Sequence, residues 1–376
     1  AIGIVLAFIM FKGSVDEKFN TFIKGCGQND IIIMCIIYLL AGAFSSVSRS
    51  MGGVDSTVNL GLTLIPPQYI TAGIFVIAAF ISISIGTSVG TIAAIGPIAV
   101  GLAEASNLSM PLTIAALVGG AMFGDNLSII SDTTIAATRT QNVDMRDKFR
   151  LNIQLAIPAA IITILLLLVF GRPTSLPDVG SYSYNFIKIL PYIFVLVAAI
   201  VGINVFVVLT GGIIFSGVLG LIYGQFGILG LAGEIYNGFT YMFDIFLLSM
   251  LTGGLAYMVT KEGGLQWLLD KITGKIKGKK SAEIGIAALV GLTDAATANN
   301  TVSIIIDGPI AKEISTKYQI DPRRTASLMD SFACIMQGMI PYGAQLLIAA
   351  SFTNGLVSPF EIIPLLWYQQ LLAITA

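Results

Sequence analysis

The sequence predicts an all-α polytopic membrane protein with two inverted-topology repeats, re-entrant hairpins and discontinuous helices. Composition is the first reason: 55% of the 376 residues are hydrophobic, 11% are charged, and the mean hydropathy is +0.88. A soluble domain usually has about 25% charged residues. The second reason is that continuous apolar runs approach the roughly 20 residues that cross a bilayer as a helix, whereas barrel strands alternate polar and apolar residues. The third reason is that broken apolar runs recur along the chain.

Polar stretches divide the chain into continuous and broken apolar segments. The chain starts without Met, and residues 1–11 are only about half a span, so we expect part of the N-terminus to be missing. Continuous spans are predicted at 30–48, 151–170 and 241–260, with two more in 187–223 joined by a turn near 210–212, and a last apolar run to 376. Broken segments are predicted at 69–106, 111–137, 283–311 and 325–351. The predicted links are 12–29, 49–68, 138–150, 171–186, 224–240 and 261–282.

Short motifs recur at a nearly constant distance. GPIA begins at Gly96 and again at Gly308, 212 residues later, and the pair Gly-Gly at 52–53 recurs at 263–264, 211 residues later. Several matches in one order favour a duplication over chance similarity. We therefore divide the chain into a first inverted repeat (1–150, N-terminus incomplete) with hairpin 69–106 and broken helix 111–137, linking transmembrane helices (151–209), and a second inverted repeat (210–376) with hairpin 283–311 and broken helix 325–351.

Basic residues predict the orientation in the membrane. Of the 20 Lys and Arg residues, 17 lie in four links, at 12–24, 139–150, 261–280 and 312–324. Short links rich in Lys and Arg stay cytoplasmic. Placing all four inside requires hairpin 283–311 to enter from the cytoplasm and hairpin 69–106 from the outside. The two repeats are then inverted, which is the usual plan of alternating-access carriers.

Polar clusters interrupt the apolar sequence at residues 86–91 and 124–134. A broken helix at membrane depth is tolerated only where protein or a water-filled cavity covers it, and its freed backbone groups are natural ligands for ions and charged substrates. A charged side chain at the bilayer centre costs about 2.5–3.5 kcal/mol, so carboxylates there usually line a site. We select Asp125 as the main cation- and proton-binding residue. Asp132 is either a ligand or a helix cap, and Asp294 lies next to the second hairpin tip.

Hydroxyl and amide side chains accompany both hairpin tips. They are Thr87, Ser88, Asn299, Asn300 and Thr301. Neutral oxygens of this kind suit Na⁺, and at helix N-termini the same groups can donate to a carboxylate-bearing substrate. They can also merely satisfy a broken backbone. For an organic substrate the set includes Gln337, which lies 212 residues after Asp125, while Asp307 is a weaker candidate near a predicted cytoplasmic end.

Several function classes are disfavoured by what the sequence lacks. It contains no histidine, and its three cysteines have no ligand-like spacing. Histidine is the usual proton carrier at neutral pH, so carboxylates must handle any protons. We expect no cofactor and no metal ion other than transported Na⁺ near Asp125. A membrane enzyme or a structural subunit is a weak alternative, because the sequence shows no nucleophile–base set, phosphate loop or nucleic-acid-binding face.

Two motifs resemble those of the NhaC family of Na⁺/H⁺ antiporters, within the ion-transporter superfamily. GAMFGDNLSIISDTT at 120–134 resembles the family's GDxxSxxSDTT, and GTSVGT at 86–91 resembles its GTSxGT. The resemblance implies inverted repeats, two re-entrant hairpins, a central cation site and an elevator-like motion of a transport domain against a dimeric scaffold. Carried over by motif, the site in the first half comprises Thr87, Ser88, Asp125, Asn126, Ser131, Asp132 and Thr133.

Two hypotheses for function follow. In the first, the chain is an alternating-access Na⁺/H⁺ antiporter in which Asp125, with Asp132 or Asp294, binds the two ions in turn and so couples their fluxes. In the second, the same fold is a Na⁺- or H⁺-coupled carrier of a small organic acid or amino acid, such as a malate/lactate exchanger. Its substrate-binding set is Thr87, Ser88, Asn299, Asn300, Thr301 and Gln337. Under both we expect a homodimer integral to the lipid bilayer of a prokaryotic inner membrane, with no nucleic-acid partner.

Overall fold

The structure is a computed structural model that describes residues 2–128, 131–173, 183–201, 203–274 and 276–376. In these ranges the regular structure is helical and no strand is present. The first half contains α1 (Ile2–Met10), α2 (Val15–Cys26), α3 (Asn29–Ser50), α4 (Gly53–Leu64), α5 (Ile70–Ile85), α6 (Ser88–Ala105), α7 (Met110–Leu127), α8 (Asp132–Gln141) and α9 (Met145–Phe170). The second half contains α10 (Phe186–Ile200), α11 (Val205–Ile222), α12 (Ile228–Tyr241), α13 (Phe243–Lys261), α14 (Gly264–Thr273), α15 (Lys279–Thr297), α16 (Asn300–Lys317), α17 (Pro322–Met339), α18 (Ala344–Ser351), α19 (Pro359–Ile362) and α20 (Trp367–Thr375). Short 3₁₀ helices cover Pro67–Tyr69 and Ile363–Leu365.

Seven helical segments in the described ranges are long and apolar enough to cross a membrane, by length and composition. They are Ile31–Ser50, Ser88–Ala105, Met110–Gln141, Met145–Phe170, Val205–Ile222, Ile228–Lys261 and Pro322–Ser351. At about 1.5 Å per residue, the 26 residues of α9 extend about 39 Å, more than the roughly 30 Å hydrocarbon core of a bilayer. The predicted all-α membrane fold is confirmed.

Four stretches predicted as links contain helices, so that part of the prediction was wrong. These helices are α2, α4, α12 and α14. In α2, Ser14 and Glu17 form a capping box, with Ser14 N–H donating to the Glu17 carboxylate at 2.8 Å. Helices of this kind mix polar and apolar residues around one axis, so their average composition resembles that of a link. The link predicted at 171–186 is described only at its two ends, because 174–182 lie outside the described residues.

The turn predicted near 210–212 lies inside α11, and that prediction was also wrong. The chain turns instead between α10 and α11, where Asn204 caps α11. A Cβ added to Gly211 would lie 2.9 Å from the ring of Phe194, so this glycine serves close helix packing rather than a turn. The boundary predicted at 209–210 therefore falls within a helix.

The backbone of the first half recurs in the second half at a nearly constant shift. Helices α6 and α7 begin and end 212 residues before α16 and α17, and α8 begins 212 residues before α18. The left-handed residues obey the same shift: Asn107 and Gln319 have φ of 51° and 54°, and Asn142 and Asn354 have φ of 55° and 52°. The short motifs that recur in the sequence therefore lie in a recurring backbone.

The two halves also exchange packing partners. Helix α3 packs on α12, and its counterpart α13 packs on α2, the counterpart of α12. Glycines permit both contacts: a Cβ on Gly42 would overlap the carbonyl oxygen of Gly238, and a Cβ on Gly25 would lie 2.8 Å from the carbonyl oxygen of Gly253. An exchange of this kind is what a two-fold relation between repeats requires. The inverted orientation in the membrane stays a prediction.

Each predicted hairpin has a sharp tip between two helices. At the first tip, Gly86 has φ of 77° and Thr87 caps α6 by accepting a hydrogen bond from a backbone N–H three residues on. At the second tip, Ala298 has φ of 54° and Asn299 caps α16 in the same way, at 3.0 Å. The helices on either side of each tip pack against each other. Whether these hairpins are re-entrant stays a prediction.

The two predicted broken helices are also interrupted. Residues 128–131 separate α7 from α8, and residues 340–343 separate α17 from α18. Residues 129 and 130 lie outside the described residues. Both interruptions leave carbonyl groups at the end of one helix and N–H groups at the start of the next without helical partners. These polar helix ends lie beside the hairpin tips.

Candidate cation site

A cavity of about 150 Å³ lies where both hairpin tips meet α3 and the two broken helices. Its apolar wall is formed by Ile33, Met34 and Ile37 of α3. Its other lining residues are Thr87, Ser88, Val89, Asp125, Asp132, Ala298, Asn299, Asn300, Thr301, Gln337, Ala344 and Gln345. The fold therefore gathers residues of both predicted sets, from both repeats, around one cavity.

Asp125 is the buried carboxylate of this cavity, with 3% of the residue exposed. It lies in the last turn of α7, and each of its oxygens accepts a hydrogen bond from a hydroxyl group. Ser88 Oγ donates to Oδ2 at 2.7 Å, and Ser131 Oγ donates to Oδ1 at 2.6 Å. Thr133 Oγ1 lies 2.8 Å from Ser131 Oγ. Both polar clusters of the first repeat thus meet at this one carboxylate.

The second repeat reaches Asp125 through two glutamines. Gln345 Nε2 donates to Ser88 Oγ at 3.0 Å, and Gln337 Nε2 donates to Gln345 Oε1 at 2.8 Å. Gln337 Nε2 is also 3.4 Å from the backbone oxygen of Ala298 at the second hairpin tip. Gln345 was missed in the sequence, although it lies 212 residues after Thr133. A chain of hydrogen bonds therefore joins the second tip to Asp125.

Asp132 lies at the start of α8 and faces the second hairpin tip. Its Oδ2 accepts from Thr301 Oγ1 at 2.9 Å, and its Oδ1 accepts from the backbone N–H of Thr133 at 3.1 Å. The N-cap position itself belongs to Ser131. The side chain of Asp132 thus contacts the helix start without occupying the N-cap, and it also lines the cavity. Its role as a cation ligand stays a prediction.

The charge of the cavity is negative. Its lining residues include Asp125 and Asp132, and no basic side chain is among them. Carboxylate, hydroxyl and amide oxygens are the ligands that hard cations prefer. A Ser hydroxyl can donate to an empty carboxylate and, after rotation, offer a lone pair to a cation. The arrangement can therefore hold an alkali cation or a proton in turn.

Three predicted or considered residues lie away from the cavity wall. Asn126 Nδ2 donates instead to Asp330 Oδ2 at 3.0 Å. Asp294 is 0% exposed, and neither of its carboxylate oxygens has a hydrogen-bond partner among the described residues. Asp307 is also buried and accepts from Thr293 Oγ1 at 3.2 Å. None of the three is among the cavity-lining residues.

A buried ion pair beside the cavity was missed in the sequence. Lys148 Nζ lies 2.6 Å from Asp330 Oδ2, and the side chains are 1% and 0% exposed. Lys148 was assigned to a cytoplasmic link, which was wrong, because it lies in the first turns of α9 and points into the protein. Lys148, Asn152 and Ala156 are spaced by four residues along one buried helix face, a pattern that indicates burial. Asp330 lies in apolar sequence and meets the criterion that selected Asp125.

Comparisons with known proteins show the family of the chain. The model of the Na⁺/H⁺ antiporter family matches residues 1–172 and 179–376. This chain belongs to the Na⁺/H⁺ antiporter family. The predicted resemblance to NhaC antiporters is confirmed, since the Na⁺/H⁺ antiporter NhaC of Bacillus subtilis is 24% identical over 365 residues, covering 88% of this chain and 78% of that protein.

Other relatives of this antiporter are named for different substrates. The malate-2H⁺/Na⁺-lactate antiporter of Bacillus subtilis is 25% identical over 364 residues, covering 88% of this chain and 77% of that protein. The arginine/ornithine antiporter ArcD of Halobacterium salinarum is 25% identical over 379 residues, covering 88% and 74%. The YdaH transporter structure from Alcanivorax borkumensis matches 90% of this chain and 82% of its own, at 14% identity and a TM-score of 0.40, too low to argue from.

Family membership makes the chain an integral membrane antiporter and not an enzyme. Its family exchanges Na⁺ and H⁺, in agreement with the first hypothesis. The weak alternatives of a membrane enzyme or a structural subunit are thereby removed.

Proposed function

We propose that this antiporter exchanges Na⁺ for H⁺ by alternating access and that Asp125 binds the two ions in turn. The observation that carries the proposal is the buried Asp125 carboxylate. It accepts hydrogen bonds from the hydroxyl groups of Ser88 and Ser131 at the junction of both repeats. Asp132 and the hydroxyl and amide oxygens of residues 299–301 supply further ligands on the same cavity. Because one carboxylate cannot hold both ions, the binding of Na⁺ releases the proton.

A second cavity adjoins the site at the second hairpin tip. Asn299 lines the cavity and also a neighbouring cavity of about 130 Å³. That second cavity extends to Gln28 and Thr260, which adjoin two of the basic links. Since basic links remain cytoplasmic, we place the entrance for the cation on this side in the present conformation. The second conformation opens the opposite side, as two inverted repeats allow.

The proposed organisation follows the predicted repeats. Hairpins 69–106 and 283–311 and broken helices 111–137 and 325–351 form a transport unit that moves against a scaffold in an elevator-like manner. The scaffold is the remaining part of the chain, through which two copies contact each other in a dimer. Bacterial and archaeal relatives support a location in a prokaryotic cytoplasmic membrane.

Proteoliposomes with an imposed pH gradient test the function. We expect NaCl to collapse the gradient in vesicles with the unchanged protein and choline chloride to leave it intact. Asp125→Asn should reduce exchange about 100-fold, because loss of a buried charge partner costs about 3 kcal/mol or more. Glu104→Gln, an exposed carboxylate at the end of α6, is the matched control. Exchange by Asp125→Asn at the unchanged rate would contradict the proposal.

A second candidate function is a Na⁺- or H⁺-coupled exchange of a small organic acid or amino acid. Amide groups of Gln337, Gln345 and Asn300 on the cavity wall favour it, as do the names of two relatives. Two observations favour the cation instead. Among the described residues, no basic side chain lines the cavity to pair with a carboxylate. The volume of about 150 Å³ is also less than the roughly 300 Å³ of the smallest usual organic-ligand sites. If malate, lactate or arginine were required before NaCl dissipates the gradient, this second function would replace the first.

A further inference from the structure

Lys148 is buried beside the end of α7 and uses all three of its ammonium protons. Its Nζ donates to the backbone oxygen of Asn126 at 2.6 Å, to Thr134 Oγ1 at 2.7 Å and to Asp330 Oδ2 at 2.6 Å. An ammonium group has three donors and no acceptor. The group is therefore fully coordinated by oxygen atoms, as a bare cation would be.

The three acceptors are ligands that an alkali cation would take. Asn126 is the penultimate residue of α7, so its carbonyl has no helical partner and lies at the negative end of the helix dipole. The Thr134 hydroxyl and the Asp330 carboxylate are hard oxygen ligands. Asp125 directly precedes Asn126 in this turn and lines the cavity. Two neighbouring sets of oxygen ligands therefore meet at the end of α7.

Further buried oxygen atoms surround this cluster. Asp330 Oδ2 also accepts from Asn126 Nδ2 at 3.0 Å and from Asn152 Nδ2 at 2.9 Å. Among the described residues, the side-chain Oδ1 atoms of Asn126, Asn152 and Asp330 have no hydrogen-bond partner, and all three are buried. Without the ammonium, the cluster would hold an uncompensated buried charge, which is strongly unfavourable.

The ion pair joins the two repeats, and the equivalent positions hold no second pair. The positions 212 residues away from Asp330 and Lys148 hold Val118 and Phe360. The pair is therefore not a general requirement of the repeated backbone. It belongs to the side of the molecule that carries Asp125, which is itself replaced by Gln337 in the second repeat.

We propose that the Lys148 ammonium is a tethered cation that fills a second alkali-cation site, formed by Asn126, Thr134 and Asp330, and so confines the exchanged cation to Asp125. Lys148 is then a specificity-determining residue, since its charge decides how many cations the antiporter holds. The inference rests on the proposed cation binding at Asp125.

Na⁺-dependent thermal stability of the purified protein tests the inference. The shift in Tm is measured between NaCl and choline chloride at equal ionic strength, in an Asp125→Asn background that lacks the first site. We expect no shift in Asp125→Asn, a rise of about 2 °C or more in Asp125→Asn with Lys148→Ala, and loss of that rise when Asp330→Asn is added. Arg150→Ala in place of Lys148→Ala is the control, because the Arg150 side chain is 77% exposed.

The outcomes separate the inference from the proposed function. A Na⁺-dependent shift that persists in Asp125→Asn alone contradicts cation binding at Asp125. Absence of a shift in both Asp125→Asn and its Lys148→Ala derivative overturns the tethered cation and leaves Asp125 untouched. If Lys148→Ala folds only in NaCl, the inference is supported. If it misfolds equally in NaCl and choline chloride while Lys148→Arg folds in both, the second site does not exist.

Discussion

At the scale of single residues, one carboxylate connects the two halves of the antiporter. Ser88 donates to Asp125, Gln345 donates to Ser88, and Gln337 donates to Gln345. When a proton or a cation binds Asp125, the hydrogen bonds of these hydroxyl and amide groups must rearrange. Because hydroxyl orientations adapt without moving the backbone, the proposed exchange of ions at Asp125 requires no helix movement at the binding step.

The hydroxyl of Ser131 should determine the affinity for Na⁺. Ser131→Ala removes a donor to Asp125 Oδ1. The carboxylate then loses a partner that favours its charged form, and Na⁺ loses an oxygen ligand, so both effects act against Na⁺. A hydrogen bond to a charged group contributes about 1.5–3 kcal/mol, so the Na⁺ concentration for half-maximal exchange should rise about tenfold or more. Ser106→Ala, a buried serine without a hydroxyl partner among the described residues, should leave it unchanged.

Two buried aspartates should respond oppositely to neutralisation. Asp294 has no partner on either oxygen within the described residues, so Asp294→Asn removes a poorly compensated group and should leave Tm unchanged or higher. Asp330→Asn leaves the Lys148 ammonium unpaired and should destabilise the protein by about 3–5 kcal/mol. Thermal unfolding of both variants in the same detergent compares them. Equal losses in Tm would show that Asp294 has an essential partner.

At the scale of helices, the two hairpin tips have one geometry and different residues. Gly86 and Ala298 both adopt left-handed backbone angles, with φ of 77° and 54°. The residue that follows each, Thr87 or Asn299, then caps the next helix. A glycine adopts this conformation without cost, whereas a residue with a Cβ pays about 1–2 kcal/mol. The second tip is therefore held by its surroundings.

Substitutions of the two tip residues should have opposite effects on the free energy of unfolding. Ala298→Gly should raise the free energy of unfolding by about 0.5–1 kcal/mol, because it relieves the left-handed alanine. Gly86→Ala should lower it by a similar amount or more, for the same reason. The two Tm shifts, measured under one condition, test this. A loss of stability in Ala298→Gly would mean that packing of the Ala298 methyl outweighs the backbone term.

At the scale of the whole molecule, two repeats share a backbone but not a chemistry. Helices α6 and α7 recur as α16 and α17 at a shift of 212 residues, and the exchange of partners between α3–α12 and α13–α2 agrees with the predicted two-fold relation. Asp125, Lys148 and Asp330 have no charged counterparts. Each repeat therefore places its buried charges at positions where the other repeat has uncharged residues.

The inverted orientation predicts that equivalent positions face opposite sides of the membrane. Glu104 and Thr316 are 212 residues apart, near the ends of α6 and α16, and both are exposed. In a background in which Cys26, Cys35 and Cys334 are replaced, Glu104→Cys should react with a membrane-impermeant maleimide from outside intact cells. Thr316→Cys should react only in inside-out vesicles. Labelling of both variants from the same side would contradict inverted repeats.

Much of the fold was predictable from local sequence, because breaks in apolar helices have a distinctive composition. Polar clusters at 86–91 and 124–134 indicated interruptions that the structure contains. Helices α2, α4, α12 and α14 were not predictable by the same criterion, since a helix with one polar face averages to the composition of a link. Lys148 was missed for a related reason, because four basic residues within 139–150 indicated one exposed cytoplasmic link.

The sequence by itself determined that this is an all-α membrane protein, that its motifs recur at one spacing and that Asp125 is a candidate ligand, because hydropathy, spacing and polar breaks are local properties. Only the tertiary structure decided which residues meet. It placed Gln345 and Ser131 at Asp125, turned Asn126 toward Lys148, and left Asp294 away from the cavity wall. Those contacts depend on how helices from distant parts of the chain cross, which no local pattern encodes.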